Sequence, residues 1–166
     1  MIARVLNDRY APTGNRAVAE LKASIVARAR GIPTPEVVAA ICYPTPLYAR
    51  FDIAVQFIDH SRDLAQVLFE DRVVSARDIG KAAALIRTMI KGGLLHADLN
   101  LKNILIAPDR AYVLDLDRCT VVEEATRHGA ETMRKRFMRS LSKWESKSGR
   151  VVSEAHHKTL QAAFHV

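Results

Sequence analysis

Two short motifs near the middle of the chain constrain its fold more than any other feature. The first, H-A-D-L-N-L-K-N-I-L-I, runs from His96 to Ile106, and the second, V-L-D-L-D, runs from Val113 to Asp117. The motifs contain an aspartate, an asparagine five residues later and a second aspartate after an apolar hairpin. Kinases use this spacing to hold metal-bound ATP beside a hydroxyl. The pattern therefore predicts a phosphotransferase loop.

The polar residues of these motifs suit the separate tasks of phosphoryl transfer. Asp98 suits the activation of an acceptor hydroxyl, and Asn103 and Asp115 offer oxygen ligands for magnesium that bridges the phosphates. Pro108–Arg110 supply a turn between two apolar strands, which would carry Asp115 back beside Asn103. His96 is predicted to bond the loop backbone through its imidazole, so its role is orientation and not proton transfer.

Each of these residues also has a purely structural explanation when it is taken singly. An aspartate near a turn is usually a cap, and an asparagine before a strand is common in turns. The histidine, the apolar runs on both sides and the D-L-D return together favour the catalytic interpretation.

The sequences of the two motifs strongly resemble those of the lipopolysaccharide core kinases. The resemblance is strongest to the 3-deoxy-D-manno-octulosonic acid (Kdo) kinase family of the protein-kinase-like superfamily. Three upstream segments also resemble that family: N-D-R-Y at Asn7–Tyr10, the helix start at Arg16–Glu20 and G-I-P-T-P at Gly31–Pro35. The likeness covers nearly the whole chain. Protein kinases proper carry a lysine where Asn100 stands and Phe-Gly where Leu-Asp follows Asp115, and these departures favour a sugar hydroxyl as acceptor.

The resemblance implies an activity, cofactors and a location. The activity would be ATP-dependent phosphorylation of a Kdo hydroxyl in the lipopolysaccharide inner core or in Kdo-lipid A, with Mg²⁺. Asp98 would be the catalytic residue, Asn103 and Asp115 would bind the metal, and Glu20 would be the helix glutamate of the nucleotide site. Such an enzyme would be cytoplasmic and peripheral on the cytoplasmic face of the bacterial inner membrane.

The implied fold is α+β and protein-kinase-like, in one domain over residues 1–166. Residues 1–57 would form a partial N-terminal lobe, 58–62 the hinge and 63–166 a mostly helical C-terminal lobe. No G-x-G-x-x-G occurs, and Arg4 and Arg9 are expected to stand after, not within, the strand that carries the lysine partner of Glu20. We therefore expect the glycine-rich hairpin and the lysine strand to be missing, and the 166 residues alone to transfer no measurable phosphate.

Apolar spacing and capping residues predict the longer elements. Helices are expected over Asn15–Arg30, from Ser75 to Gly92 and over Glu131–Lys147, strands over Val37–Ile41 and Arg50–Phe57, and a hinge under the adenine over Ile58–Ser61. The apolar positions of the first helix are Val18, Leu21, Ile25 and Ala29.

The third helix is strongly basic, and the chain has a formal charge of +7. Its basic residues are Arg134, Lys135, Arg136, Arg139, Lys143 and Lys147. A solvated face packed on the lower lobe is the simplest interpretation, but a basic face also suits anionic lipid headgroups or a phosphorylated saccharide. Nucleic acid is disfavoured because no aromatic platform or nucleic-acid motif accompanies the charge.

Composition sets two further bounds. Cys42 and Cys119 lie far apart without metal-ligand spacing, which predicts buried reduced thiols. The longest apolar runs fall well short of a membrane span.

Two alternatives remain open at this point. One is a non-catalytic, kinase-like remnant that acts as an interaction module. The other is a kinase of another small hydroxylated substrate, although such kinases usually carry histidine where Asn100 stands.

Overall fold

A computed structural model describes residues 4–10, 16–44 and 49–165, and of residues 4–10, 16–17, 44 and 49–51 the backbone alone. The strands are β1 (Arg4–Tyr10), β2 (Val37–Pro44), β3 (Ala49–Val55), β4 (Arg62–Asp63), β5 (Leu94–His96), β6 (Ile104–Ile106), β7 (Ala111–Val113) and β8 (Cys119–Val121). The helices are α1 (Arg16–Ala29), α2 (Leu64–Phe69), α3 (Ala76–Lys91), α4 (Arg127–Ser148) and α5 (Glu154–Ala162).

The upper part of the molecule is an antiparallel sheet in the order β1-β3-β2. Strand β1 runs along the edge of β3, with Arg4 opposite Val55 and Arg9 opposite Arg50. The sequence led us to expect Arg4 and Arg9 after the strand that carries the lysine partner of Glu20, but both lie within β1, the strand that precedes α1 in the described part of the chain. Strand β1 satisfies the backbone groups along an edge of β3 that would otherwise be unpaired.

Helix α1 forms as predicted, but it buries a different face from the one that its apolar pattern suggests. The buried positions are Ala23, Ser24 and Ala27, whereas Val18 and Ile25 are 37% and 60% exposed. These buried side chains are small, so the helix can lie close against the lower part of the molecule. There it contacts the 3₁₀ turn Leu116–Arg118.

The lower part is built around α3, which ends in the turn before the loop that carries Asp98. Ser75 caps its first turn by accepting a hydrogen bond from the Arg77 amide, and Gly92 is its C-cap. One face of α3 is buried in the main apolar core with α2, α4 and α5. Helices α2 and α5 and the short strands β4, β5 and β8 are elements that the sequence patterns did not predict.

Two short sheets complete the lower part, one in the order β4-β6-β7 and one pairing β5 with β8. The β6–β7 hairpin lies where the sequence predicts it, with Ile104 opposite Val113. These sheets hold the two ends of the loop that carries Asp98.

Arg30 connects the end of α1 to the lower part. Its Nη1 donates to the carbonyl oxygens of Gly92 at 2.7 Å and Val122 at 2.5 Å. Both cysteines are free, but Cys42 is exposed and Cys119 is only partly covered, so the prediction that both are buried is wrong for Cys42. Among the described residues, none of the helices combines the length and apolar character that crossing a bilayer requires.

Candidate active site

The histidine of the first motif connects two backbone segments. His96 is buried at the end of β5. Its Nδ1 accepts a hydrogen bond from the Asp98 amide at 3.3 Å, and its Nε2 lies 3.2 Å from the Leu114 carbonyl oxygen. An imidazole that accepts at Nδ1 and donates at Nε2 is neutral. Burial lowers the pKa of His96, which favours this form.

Both asparagines of the loop bind the backbone of Asp98. The Nδ2 atoms of Asn100 and Asn103 donate to the Asp98 carbonyl oxygen at 3.0 Å and 3.3 Å. The Oδ1 of Asn100 also accepts from the Lys102 amide at 2.9 Å and caps the 3₁₀ turn Leu101–Asn103. The loop conformation around Asp98 is thus held by side chains within the same motif.

Asp115 lies directly beyond β7, beside Asn103. The Leu114 amide donates to the Asn103 carbonyl oxygen at 2.9 Å, which ties the two segments together. The backbone of Asp115 is left-handed, with φ 60° and ψ 61°. An aspartate tolerates this region better than most residues, and such conformations cluster at functional sites. The carboxylate is exposed rather than packed in the core.

A cleft of about 460 Å³ between the upper sheet and the lower part brings Glu20, Asn103 and Asp115 together. Ile58 and Ser61 of the predicted hinge also line it. The remaining walls come from the segment before β2, the end of β3, the start of α2 and the β6–β7 hairpin. The size of the cleft and its position between the two parts suit a nucleotide.

The polar groups in the cleft fit a magnesium ion. The amide nitrogen of Asn103 is engaged with Asp98, which leaves its Oδ1 for another partner. This oxygen and the carboxylate of Asp115 are hard ligands, and magnesium in kinases is held by one or two such groups together with substrate phosphates. No cluster of three or more His, Cys, Asp or Glu side chains suited to a metal exists within the described part of the chain, so the phosphates would have to complete the coordination.

Negative charge is concentrated at this end of the cleft. Burial raises the pKa of the Cys119 thiol, and the carboxylates of Asp115, Asp117 and Glu20 raise it further. The thiol is therefore neutral near pH 7 and does not serve as a nucleophile.

Asp98 faces a residue that the sequence did not associate with it. Arg136 on α4 donates from Nε to Asp98 Oδ1 at 2.7 Å, and its Nη2 lies 2.7 Å from the same oxygen. Both side chains are about one-third exposed. Two more residues on the same face of α4 support the loop: Met133 Sδ accepts from the His96 amide at 3.4 Å, and Ser140 Oγ accepts from the Leu101 amide at 3.3 Å.

The structure thus places the predicted site residues in or beside two cavities. Glu20, Asn103 and Asp115 line the cleft, while Asn100 lines a second cavity beside α4. Asp98 lies next to this second cavity through its pair with Arg136. The spacing of Met133, Arg136 and Ser140 on one helix face was visible in the sequence, but nothing in it indicated which loop that face contacts.

Comparison with known proteins identifies the family of the chain. Residues 1–162 match the model of the lipopolysaccharide kinase (Kdo/WaaP) family. Among curated relatives, 3-deoxy-D-manno-octulosonic acid kinase from Vibrio parahaemolyticus is 25% identical over 93% of this chain and 69% of its own length. The same-named protein from Xanthomonas axonopodis pv. citri is 31% identical over 99% of this chain and 66% of its own.

A solved structure titled "WaaP in complex with acyl carrier protein" shares the fold. It has a TM-score of 0.66 and 14% identity, and the match covers 96% of this chain and 69% of that one. The chain is shorter than the curated relatives that it matches, and spans from 52% to 71% of the length of several of them.

Proposed function

The chain belongs to the lipopolysaccharide kinase (Kdo/WaaP) family, whose members are phosphotransferases with a protein-kinase-like fold. We therefore propose that it transfers the γ-phosphoryl group of ATP to a hydroxyl of Kdo. The acceptor would be Kdo in the lipopolysaccharide inner core or in Kdo-lipid A. The observation that carries the proposal is the cleft that gathers Asn103, Asp115 and Glu20 next to the loop that carries Asp98.

Asp98 would accept the proton of the acceptor hydroxyl as the hydroxyl oxygen attacks the γ-phosphorus. Arg136 orients this carboxylate and balances its charge while the acceptor site is empty. His96 fixes the loop by bonding the Asp98 amide and the Leu114 carbonyl, so it acts on orientation and does not move the proton.

Asn103 and Asp115 would hold magnesium, which in kinases neutralises the charge of the phosphates. Glu20 lines the same cleft on the α1 side and would help to position the phosphates. An enzyme that reaches an acceptor in a lipid layer would work peripherally, on the cytoplasmic face of the inner membrane where ATP is present.

The test measures ATP binding, its magnesium dependence and phosphate transfer to a lipid A precursor that carries one Kdo residue. Asp98→Asn should leave ATP binding nearly unchanged and lower turnover by about 10²- to 10⁴-fold, the range for a positioned general base. Asp115→Asn should remove the magnesium dependence of ATP binding, because it removes the charged ligand. Asp109→Asn is the matched control, since Asp109 is an exposed carboxylate paired with Arg110 outside the cleft.

Turnover by Asp98→Asn equal to that of the wild type would contradict the assignment of the base. Binding of ATP with magnesium but without any transfer would contradict the proposed function and support the non-catalytic alternative.

A further inference from the structure

A second cavity of about 600 Å³ lies between the catalytic loop and α4, and we call it the basic groove. It is lined by Asn100, Lys102, Arg136, Arg139, Ser140, Lys143, Trp144 and Lys147. Five of these eight side chains are cationic and none is a carboxylate. Its floor is buried or half-buried at Ser140 and Trp144, and the cations of its rim are exposed.

Two sets of cations on α4 differ in their partners. Arg134 and Lys135 both pair with Glu131 on the same helix. In contrast, Arg139, Lys143 and Lys147 have no acidic partner within 4.0 Å among the side chains that the structure describes. These three lie four residues apart and therefore form one row along the helix. The row formed by Arg139, Lys143 and Lys147 thus lies on the face of α4 that lines the groove.

Trp144 brings the ammonium group of Lys102 to the groove beside that of Lys147. The Nζ atoms of Lys102 and Lys147 lie 5.5 Å and 5.1 Å from the centroid of its ring, within the range of a cation–π contact. Phe69 stacks on the indole with centroids 6.0 Å apart and an interplanar angle of 17°, which fixes the orientation of the ring. Lysines from the loop and from the helix are therefore brought together without a carboxylate between them.

The groove begins at the proposed catalytic carboxylate and extends away from it. Arg136, which contacts Asp98, forms its inner end. Lys147 lies eleven residues further along α4, which corresponds to about 16 Å at the rise of an α-helix. A ligand that presents a hydroxyl to Asp98 would meet the unpaired cations with a more distant part of the same molecule.

We propose that the basic groove binds phosphate groups of the acceptor saccharide on a sugar other than the one that is phosphorylated. The inference rests on the proposed function, because it takes the acceptor to be the ligand. Several unpaired cations in a recess suit a doubly charged phosphate better than a single carboxylate. A concave site that starts at Arg136, beside Asp98, also suits one saccharide chain better than a flat lipid surface.

The groove contains the only tryptophan of the chain, so binding can be followed directly by Trp144 fluorescence without ATP or turnover. The probe is a deacylated, bisphosphorylated glucosamine disaccharide that carries one Kdo residue, and the same compound without its phosphates is the comparison ligand. We expect saturable binding of the phosphorylated probe that weakens with added salt, and much weaker binding of the dephosphorylated one.

The triple variant Arg139→Gln, Lys143→Gln, Lys147→Gln should bind the phosphorylated probe at least about tenfold more weakly, which corresponds to roughly 0.5 kcal/mol for each exposed contact. The matched control is Arg87→Gln, Arg110→Gln, Lys158→Gln, which removes the same number of exposed cations outside the groove. The control should bind as the wild type does, so the difference between the two isolates the groove from the net charge.

Equal binding by the groove variant and the wild type would overturn the proposal, as would equal binding of the two probes. A Trp144 response to anionic phospholipid vesicles or to a single-stranded oligonucleotide at least as strong as the response to the phosphorylated probe would also overturn it, in favour of that ligand. Probe binding that depends on the groove in a protein that transfers no phosphate would reject the proposed function and leave the groove assignment standing.

Discussion

At the scale of single residues, the site is organised around the backbone of Asp98. Its amide is bound by the imidazole of His96, and its carbonyl by the amides of Asn100 and Asn103. Its carboxylate is held by Arg136 from a helix almost forty residues away. Every polar group of Asp98 thus has a partner that orients it, which is what a residue acting on a precisely placed hydroxyl requires.

The buried imidazole predicts a pH dependence of stability. Burial lowers the pKa of His96 in the folded protein, Arg136 lowers it further, and the Leu114 carbonyl, Asp98 and Asp117 oppose the shift. Below the ordinary value of 6.5 the unfolded chain therefore binds a proton that the folded chain does not. The free energy of unfolding should fall as the pH drops below 6.5 and should be insensitive to His96 above it.

Denaturant unfolding between pH 5 and pH 8 checks this expectation. In His96→Gln the free energy of unfolding should fall less as the pH drops below 6.5. In His128→Gln, which changes an exposed histidine, it should fall as much as in the wild type. A slope that is the same in His96→Gln and the wild type would show that another group is responsible.

At the scale of elements, α4 has two distinct roles on two faces. One face supports the loop that carries Asp98 through Met133, Arg136 and Ser140. The adjacent row of unpaired cations forms one wall of the basic groove. A helix that the sequence describes only as basic is therefore, in the folded protein, both a support for the loop and a surface for an anion.

The turn between α3 and β5 is the element that delivers the loop, and Gly93 is essential to it. Its φ is +68°, and a Cβ at this position would lie 2.1 Å from the Val122 carbonyl oxygen and 2.8 Å from Arg30 Nη1. Gly93→Ala should therefore lower the free energy of unfolding by at least about 3 kcal/mol, from backbone strain together with displacement of β8.

Gly149→Ala is a matched control for this substitution. Its φ is +69°, and a Cβ there would meet nothing within 4 Å, so only the left-handed backbone cost of about 1 to 2 kcal/mol should remain. Thermal or denaturant unfolding measures both variants. Equal losses in the two would show that the close approach to Val122 does not contribute.

At the scale of the whole molecule, the cleft depends on how α1 is fastened to the lower part. The helix packs through small side chains against the turn that follows Asp115, and Arg30 binds two carbonyl groups beyond it. The apolar side chains of Val18 and Ile25 lie on the more exposed side of α1. The position of Glu20 in the cleft therefore depends on the buried face of α1 and on Arg30.

Arg30→Gln should loosen α1 more than it loosens the core. The loss of two hydrogen bonds from a charged donor should cost about 1 to 3 kcal/mol, and amide exchange in residues 16–29 should become faster relative to α3. Arg28→Gln is the control, because Arg28 is an exposed neighbour on the same turn with only a 3.4 Å contact to Glu36. Equal exchange rates in the two variants would contradict the role of Arg30.

The sequence alone was sufficient for features that depend on neighbouring residues. It predicted the helices α1, α3 and α4, the Ser75 cap and the β6–β7 hairpin, because periodicity, capping and turn residues act over a few positions. It also identified the family from the two motifs. The catalytic role of Asp98 and the metal-binding roles of Asn103 and Asp115 remain predictions, which the cleft makes geometrically possible.

Only the tertiary structure decided which residues meet across long stretches of chain. Neighbouring residues in the sequence give no indication of the pair between Asp98 and Arg136 or of the small buried face of α1. The same is true of the strands β4, β5 and β8, which are only two or three residues long. Each exists because packed elements bring distant groups together, and the energy of such contacts depends on the path of the whole chain rather than on neighbouring residues. For the same reason the basic residues of α4 could be counted in the sequence, but which of them pair and which line a groove could be decided only in the folded protein.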